Sequence, residues 1–330
     1  MAEPIRLVFM GSDPVALPLL DWLEGEGREV ASLKAVVTGP DRESGRGQAL
    51  RPNSVKSWTL GRELTVLQPE KLDPSALTAL SELRPDVVLV VAYGHILRDD
   101  FIAVPRLGTL NLHASILPRY RGASPIQTSV AEGDTETGMT LMRIVRELDA
   151  GPVAELERVP IGALDTASEV EARLARAAIP LVARAFPLLE RGALAFAAQD
   201  HGRASFCRRL EKSDGVLDFT ASARVLAARV NGLSPWPSVS VDLPGTSVKL
   251  GLADCTADAA PAAPGTVTGA DAHGLLVATG SGTLRLRRLQ RPGGKMLEAA
   301  EFLRGFPVPA GTVIASRAMP ALVSATPFRR

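Results

Sequence analysis

The first two thirds of the chain alternate short apolar runs with longer segments of helical periodicity. The apolar runs are residues 6–11, 30–38, 86–91, 109–113 and 139–144. Strands of a parallel sheet are covered on both faces, so they are apolar throughout, and the helices that join them supply the longer periodic segments. We therefore predict an α/β fold built on a mostly parallel sheet.

Three segments carry helix signals. Pro14 stands in the first turn of a predicted helix, directly behind the capping residue Asp13. Asn53 is predicted to cap a second helix. The longest periodic segment, 167–192, contains Pro180 and Pro187, so we predict a helix that is interrupted at these prolines and closes the first domain.

The pattern changes beyond residue 205. One helical segment at 223–233 is followed by short alternating runs with Gly or Pro between them, which are typical of the strands of a small β-barrel. Residues 257–265, rich in Ala and Pro, are predicted to be an exposed loop. We therefore predict a domain at 1–205, with a linker at about 193–205, and a second domain at 206–330.

Composition limits the classes of protein that remain. The 330 residues are 46% hydrophobic, which is enough for about two domain cores. No apolar run approaches the ~20 residues of a membrane span, and the N-terminus lacks the layout of a signal peptide. We expect a cytoplasmic protein, without membrane contact and working as a monomer. Cys207 and Cys255 have no ligand-like spacing, so neither a disulfide framework nor a metal site is expected.

The charge is distributed unevenly although the net charge is only +1. Residues 206–330 hold 15 Lys and Arg against 9 Asp and Glu, whereas residues 1–205 hold 22 against 27. A basic half joined to an acidic half indicates that the C-terminal part binds a polyanion. From charge alone, an ordinary solvated basic surface remains an alternative.

Two polar residues stand close together in the apolar run 109–113. Asn111 and His113 share a strand face, and Leu110 and Leu112 point to the other face. In doubly wound sheets ligands bind outside the carboxyl ends of the strands, where this pair emerges. A carboxamide donates hydrogen bonds without neutralising a charge, which suits an oxyanion that forms only in a transition state.

An imidazole beside that carboxamide can donate a hydrogen bond or move a proton near neutral pH, and an acid is needed to set its state. Asp149, which follows the next apolar run, is the natural candidate. Taken singly, each of these residues is more often a turn former or a satisfied polar group than a catalytic residue. Their combination with the segments SILP (115–118) and RGASP (121–125) favours a catalytic site.

The segment NLHASILPRYRGASPIQ (111–127), with LDAG at 148–151, resembles the signature of formyltransferases that use 10-formyltetrahydrofolate. Within that superfamily the chain is most similar to the methionyl-tRNA formyltransferase family. The resemblance runs nearly end to end, through RLVFMGSD, VVTGPDRESGRGQALRPNSVK, LQPEKL, VVAYGHIL, GDTETGMTLM and NGLSPWPS. It implies a Rossmann-like catalytic domain followed by a basic barrel of the oligonucleotide-binding (OB) type that binds tRNA.

The resemblance also implies a reaction. The α-amine of methionyl initiator tRNA attacks the formyl carbon of 10-formyltetrahydrofolate, so the enzyme needs neither a nucleophile nor a metal. Asn111 and His113 then hydrogen-bond the formyl oxygen, and Asp149 orients His113 and helps to remove the amine proton. Ser115, Ile116, Leu117 and Pro118 match the loop that holds the folate, with Ile116 in place of the commoner Leu.

For tRNA, the resemblance implies that the loop containing Arg42 and Arg46 enters the acceptor end. The family's lysine pair is replaced here by Gln48 and Ala49, which removes two cations. Val15 stands where an aromatic residue often lies near the methionyl side chain, and Pro152 replaces a second acid after Asp149. In the second domain Arg285 and Arg287 alternate with leucines and are predicted to face a phosphate backbone, with Lys295 nearby. An ordinary solvated strand face remains the alternative for these arginines.

Three other functions fit the sequence less well. A nicotinamide-dependent enzyme would need a G-x-G-x-x-G turn after the first strand, where this chain has GSDPVA. A folate-dependent formyltransferase acting on a small amine, such as glycinamide ribonucleotide or an amino sugar nucleotide, would not need the basic second domain. An RNA-binding protein without catalysis would need none of Asn111, His113 and Asp149.

Overall fold

A computed structural model describes residues 3–44, 49–256, 258 and 261–328. Their strands are β1 (Ile5–Met10), β2 (Ala31–Val37), β3 (Arg42–Ser44), β4 (Ala49–Arg51), β5 (Val66–Leu67), β6 (Val87–Val90), β7 (Thr109–His113), β8 (Arg121–Gly122), β9 (Glu136–Arg143), β10 (Val153–Pro160), β11 (Phe206–Cys207), β12 (Val239–Leu243), β13 (Thr246–Thr256), β14 (Val267–Ala270), β15 (Leu275–Ala278), β16 (Thr283–Gln290), β17 (Leu297–Glu298) and β18 (Val323–Ser324). Their α-helices are α1 (Leu17–Leu23), α2 (Ser54–Leu60), α3 (Pro74–Glu82), α4 (Asp99–Ile102), α5 (Pro125–Ala131), α6 (Ala167–Glu190), α7 (Ala223–Gly232) and α8 (Ala299–Gly305).

The chain divides into two compact units that are not continuous in sequence. The first unit comprises residues 1–121, 138–159 and 172–204, and the second comprises 122–137, 160–171 and 205–330. Residues 122–137 and 160–171 thus group with the C-terminal part, whereas the sequence placed them in the first domain. That two independently folding domains meet between residues 205 and 206 stays a prediction.

The first unit contains a seven-stranded sheet in the order β10-β9-β7-β6-β1-β2-β5. The five strands from β7 to β5 pair in parallel. Most of their side chains are buried on both faces, as in β6, where every residue is buried. This double burial explains why these strands are largely apolar instead of alternating.

The direction of one strand in this sheet differs from that of its neighbour. Strand β9 is antiparallel to β7, with Asn111 opposite Met142 and His113 opposite Thr140. The prediction of a mostly parallel sheet left the direction of this strand open, because an apolar run carries no information about strand direction. The hairpin formed by β3 and β4 was also not predicted from the Gly- and Pro-rich sequence around it.

The predicted helix caps are confirmed, but the interrupted helix is not. Asn53 Oδ1 accepts from the backbone N–H of Lys56 at the start of α2, and Asp13 accepts from Val15 at the start of a 3-10 helix at Pro14–Ala16. Helix α6 runs without interruption through Pro180 and Pro187. Each proline removes one backbone hydrogen bond, and the buried apolar face of α6 holds the helix across both positions.

The second unit is built on antiparallel strands in the order β12-β13-β16-β15-β14, with β17 beside β16. Its apolar core combines these strands with helix α7, for example Leu226 and Val230 against Leu250 and Leu286. Ala131 at the end of α5 belongs to the same core. Of the predicted loop at 257–265, residues 257, 259 and 260 lie outside the described part of the chain.

The predicted fold class is confirmed: a mostly parallel α/β sheet and a second domain of antiparallel strands. Within the described residues, no helix is both long and apolar enough to cross a bilayer.

Candidate active site

Asn111 and His113 lie in the last three residues of β7, at the carboxyl end of a central strand. Asn111 is opposite Val90 of β6 on one side and Met142 of β9 on the other. This places the pair at the sheet edge where doubly wound folds bind ligands. The structure therefore puts both side chains where the sequence predicted them.

The carboxamide of Asn111 makes no hydrogen bond with any described residue, and the side chain is only partly buried. A buried amide is normally hydrogen-bonded, so an amide without partners at a ligand-binding edge has its donors available to a ligand. Asn111 thus has the property that an oxyanion donor needs.

His113 is held on both sides of its ring. Its side chain is only 6% exposed, and Nε2 lies 2.9 Å from the main-chain oxygen of Tyr120. A carbonyl oxygen can only accept, so this contact places a proton on Nε2. The other nitrogen, Nδ1, lies 3.7 Å from Oδ2 of Asp149. His113 is therefore oriented by Tyr120, with Nδ1 directed at the Asp149 carboxylate.

The predicted donation from His113 to a formyl oxygen is not the geometry of this structure, because Nε2 is bonded to Tyr120 and Nδ1 faces Asp149. The burial of His113 fits its place on β7, an interior strand between β6 and β9 in which four of the five residues are buried. Direct donation to substrate stays a prediction that would require one of these contacts to change.

Asp149 sits in a turn of unusual backbone geometry. Its φ angle is +47°, in the left-handed region that Asp tolerates better than most residues. Gly151, two residues on, packs so closely on β9 that a Cβ atom would lie 1.9 Å from the carbonyl oxygen of Arg143. No other residue fits at Gly151 without displacing backbone, which explains the Gly of the LDAG segment.

The loop at 115–118 is supported from within. Ser115 is fully buried and donates to the carbonyl of Arg119 at 2.6 Å. Thr140 of β9 donates to the carbonyl of Ser115 at 2.5 Å, and Leu117 N–H donates to the Thr140 hydroxyl at 3.4 Å. Ser115 therefore shapes the loop, and the partly buried residues 116–118 supply its accessible surface. Contact of Ile116, Leu117 and Pro118 with folate stays a prediction, and any contribution of the buried Ser115 hydroxyl is indirect.

Tyr93, in the VAYGHIL segment after β6, carries a buried hydroxyl. Burial raises the pKa of its hydroxyl to about 12, and the hydroxyl has no hydrogen-bond partner among the described residues. A phenol with this pKa stays protonated near neutral pH.

The hairpin that carries Arg42 is anchored at its base. Lys56 of α2 makes an ion pair of 2.8 Å with Asp41, whose carboxylate also accepts from Gln68 at 3.1 Å. The Lys56 and Gln68 hydrogen bonds lower the pKa of Asp41. Arg42 itself is exposed and lies opposite Arg51 across the β3–β4 pair. Arg46 and Gln48 lie outside the described residues.

The arginines of β16 are ion-paired with acidic side chains. Arg285 contacts Asp254 at 3.2 Å and Asp271 at 2.7 Å, and Arg287 contacts Asp254 at 2.8 Å. The hydrogen bond that Arg287 donates to Asp254 raises the pKa of the Arg287 guanidinium. The two guanidinium groups share a strand face as predicted, but a phosphate would have to compete with Asp254 for them. Lys295 is exposed.

Two buried residues near Asp149 were not foreseen. Arg121 donates to Gln199 Oε1 from Nε at 3.2 Å and from Nη2 at 2.8 Å. Gln199 in turn donates to the main-chain oxygens of Asp149 and Gly151. These partners are separated by about 50 to 80 positions, and no local pattern in the sequence points to them. The only available signal was an arginine inside the RGASP segment beside the motif.

No group of three or more His, Cys, Asp or Glu side chains in the described part of the chain comes together as a metal site would require. The candidate site contains the Asn111 carboxamide, the His113 imidazole and the Asp149 carboxylate.

Comparison with known proteins places this site in a family. The formyl transferase family matches residues 5–185, and the formyl transferase C-terminal domain matches 209–307. A methionyl-tRNA formyltransferase of Pseudomonas syringae is 42% identical over 90% of this chain and 93% of its own length. That of Ralstonia nicotianae is 38% identical over 96% and 100%.

Among solved structures, an N-formyltransferase from Helicobacter canadensis, in complex with folinic acid and dTDP-3-aminofucose, has a TM-score of 0.65. Its sequence is 15% identical, and the match covers 87% of this chain and 99% of that one, so it shows a shared fold. With the family matches and the relatives at about 40% identity, it follows that the chain belongs to the formyl transferase family.

Proposed function

We propose that this chain transfers the formyl group of 10-formyltetrahydrofolate to the α-amine of methionyl initiator tRNA. The observation that carries the proposal is the unpartnered Asn111 carboxamide beside the His113–Asp149 pair at the carboxyl end of β7. The relatives at 42% and 38% identity, named methionyl-tRNA formyltransferases, support the choice of substrates.

In the proposed reaction the methionyl amine nitrogen bonds to the formyl carbon, and the bond from that carbon to N10 of the folate then breaks. The amine loses a proton and N10 gains one, so no external acid or base is consumed. The formyl oxygen becomes anionic between these events. Asn111 donates to that oxygen from a fixed strand position, which stabilises the charge without reorganisation of solvent.

Proton transfer falls to Asp149 and His113. With Nε2 of His113 bonded to Tyr120, its Nδ1 atom and the Asp149 carboxylate form an acceptor pair 3.7 Å apart. Asp149 takes the amine proton directly or through water, and Nδ1 of His113, on the buried side of the carboxylate, is the acceptor to which that proton can pass. Because the nucleophile belongs to the tRNA, no serine or cysteine has to be activated.

Folate and tRNA are proposed to bind at separate features. Ile116, Leu117 and Pro118 present an apolar loop held by Thr140, which suits the flat pterin ring of the formyl donor. Arg42 and Arg46 are proposed to reach the tRNA acceptor end, and Arg285, Arg287 and Lys295 its backbone. The net charge of +6 over residues 206–330, from 15 cations and 9 anions, supports that assignment.

We also propose that the chain acts as a monomer in the cytoplasm, since Asn111, His113 and Asp149 all come from one chain. Sedimentation at assay concentration tests the oligomeric state. A dimer with full activity would overturn it.

The decisive experiment incubates the protein with 10-formyltetrahydrofolate and, in parallel, methionyl initiator tRNA, methionyl elongator tRNA or a small amine such as an amino sugar nucleotide. We expect formyl transfer to the initiator tRNA, measured as acid-precipitable formyl label, and strong discrimination against the elongator. Transfer to the small amine alone would replace the proposed substrate. Transfer to none of them would reject the function.

A further inference from the structure

Gln199 makes four hydrogen bonds, all with partners in the first compact unit. Its Oε1 accepts from Nε of Arg121 at 3.2 Å and from Nη2 at 2.8 Å. Its Nε2 donates to the carbonyl of Asp149 at 2.8 Å and to the carbonyl of Gly151 at 2.7 Å. The side-chain amide therefore joins a guanidinium to the main chain on both sides of Ala150.

Burying the side chains of Arg121 and Gln199 costs free energy unless their polar atoms are hydrogen-bonded. Both side chains are buried. Arg121 is 1% exposed and Gln199 is 8% exposed. The Nη1 atom of Arg121 also approaches the Glu147 carboxylate at 4.0 Å, in the same turn as Asp149. Such a network stabilises one arrangement of the groups it joins, because any rearrangement leaves buried polar atoms unpaired.

The turn around Asp149 has a backbone conformation that is unfavourable unless contacts from outside the turn support it. Asp149 has φ +47°, a region that costs free energy for a residue other than Gly. Within the turn, the Ala150 N–H donates a long hydrogen bond of 3.3 Å to the Glu147 carbonyl. The carbonyls on either side of Ala150 are fixed by Gln199, and Gly151 is wedged against Arg143.

We propose that Arg121 and Gln199 are positioning residues for the formyl transfer reaction, and that they act by holding the main chain of Asp149 so that its carboxylate faces Nδ1 of His113. Neither residue touches the reacting atoms. The proposal rests on the role of Asp149 in the proposed function. It extends the machinery to a buried clamp formed by residues about 50 to 80 positions away along the chain.

The test compares Gln199→Met with Asn231→Leu. Asn231 is a matched control because it is also a buried carboxamide that clamps main chain, donating to the carbonyls of Ala163 and Ala253 and accepting from the Ala253 N–H, in the second unit. Both variants should lower the melting temperature. Only Gln199→Met should lower kcat, by about 10- to 100-fold, with KM for folate and tRNA within about threefold, because a displacement of about 1 Å costs this much in rate.

The same substitution in the Asp149→Asn background separates positioning from general destabilisation. If Gln199 acts through the Asp149 carboxylate, its replacement should lower kcat by less than about twofold when that carboxylate is already absent. An equal loss in both backgrounds, or a loss of kcat in Asn231→Leu as large as in Gln199→Met, would overturn the proposal. If Asp149→Asn alone retains full activity, the role of Asp149 in the proposed function is wrong, which is a different result.

Gln199→Glu provides the second variant if Gln199→Met does not fold. It keeps an acceptor for Arg121 but directs oxygen instead of N–H at the two carbonyls, so we expect kcat to fall as in Gln199→Met. Wild-type kcat in folded Gln199→Glu would show that contact with the Asp149 turn is unnecessary, and this too would overturn the proposal.

Discussion

The Nε2–H of His113 donates a 2.9 Å hydrogen bond to the main-chain carbonyl of Tyr120. This contact orients the imidazole with Nδ1 towards Asp149. In the proposed reaction Asn111, two residues earlier on the same strand, therefore donates to the developing oxyanion. His113 and Asp149 are proposed to accept the proton.

Replacing Asn111 with Ala should lower kcat by about 100- to 1,000-fold, the usual loss for one oxyanion donor. Asn111→Asp is the sharper variant, because it keeps the size of the side chain but presents oxygen where N–H was, and it should lose at least as much. Folate binding, followed by fluorescence, should stay within about threefold. More than a third of wild-type turnover in Asn111→Ala would exclude the oxyanion role.

Arg42→Ala should lower kcat/KM for methionyl tRNA by roughly 5- to 150-fold, the value of one charge-assisted contact, with folate affinity unchanged. Arg51→Ala is the matched control, because Arg51 lies directly opposite Arg42 on the β3–β4 hairpin and is equally exposed. If Arg42 only approaches phosphate, its defect should shrink as salt rises. Equal defects in the two variants would mean that only the charge of the hairpin matters.

Asp254→Asn should tighten tRNA binding, because the Asp254 carboxylate occupies the guanidinium groups of Arg285 and Arg287 at 3.2 and 2.8 Å. We expect about a 2- to 10-fold gain and a steeper salt dependence, measured by filter binding at two salt concentrations. Asp242→Asn removes the same charge from the same unit, beside Arg317 instead. If both variants bind tRNA equally well, the β16 arginines do not contact it.

A chain that ends at residue 205 should fold poorly. It lacks α7, and Ala131 of α5 belongs to the same apolar core as Leu226 and Val230 of that helix. The backbones approach so closely that a Cβ on Gly232 would lie 2.3 Å from the N atom of Ala131. Thermal unfolding followed by circular dichroism should show a broad transition. A cooperative transition with intact folate binding would instead support the boundary predicted from the sequence.

Asp86 should contribute stability that is lost in acid. Burial alone would raise the pKa of its carboxyl, but hydrogen bonds from Arg6 and Arg106 hold that pKa well below its usual range. Stability is therefore fully present above the unfolded-state pKa of about 3.9 and falls as pH drops below it. Urea midpoints of Asp86→Asn should be lower near pH 7 and change less between about pH 4 and pH 2.

Asp100→Asn is the control for that measurement. Asp100 pairs with Arg98 on the surface, with both side chains well exposed, so its removal should change the urea midpoint little. Equal effects of the two substitutions would show that burial of Asp86 contributes nothing.

Local features of the chain were predicted from sequence with good accuracy. The apolar runs became β1, β2, β6, β7 and β9, and Asn53 became a helix cap, because strand burial and capping depend on residues a few positions apart. The shared face of Asn111 and His113 followed from the two-residue period of a strand. The reaction was inferred from the family resemblance, because hydrophobic periodicity carries no information about chemistry.

Long-range contacts were decided only by the tertiary structure. The antiparallel direction of β9, the bond from His113 to Tyr120 and the pairing of Arg287 with Asp254 all join segments whose approach depends on the whole fold. The Arg121–Gln199 clamp is the clearest case, since its members lie 78 positions apart. A hydrogen bond between distant residues leaves no periodic trace in the sequence, because its geometry exists only after both segments have packed.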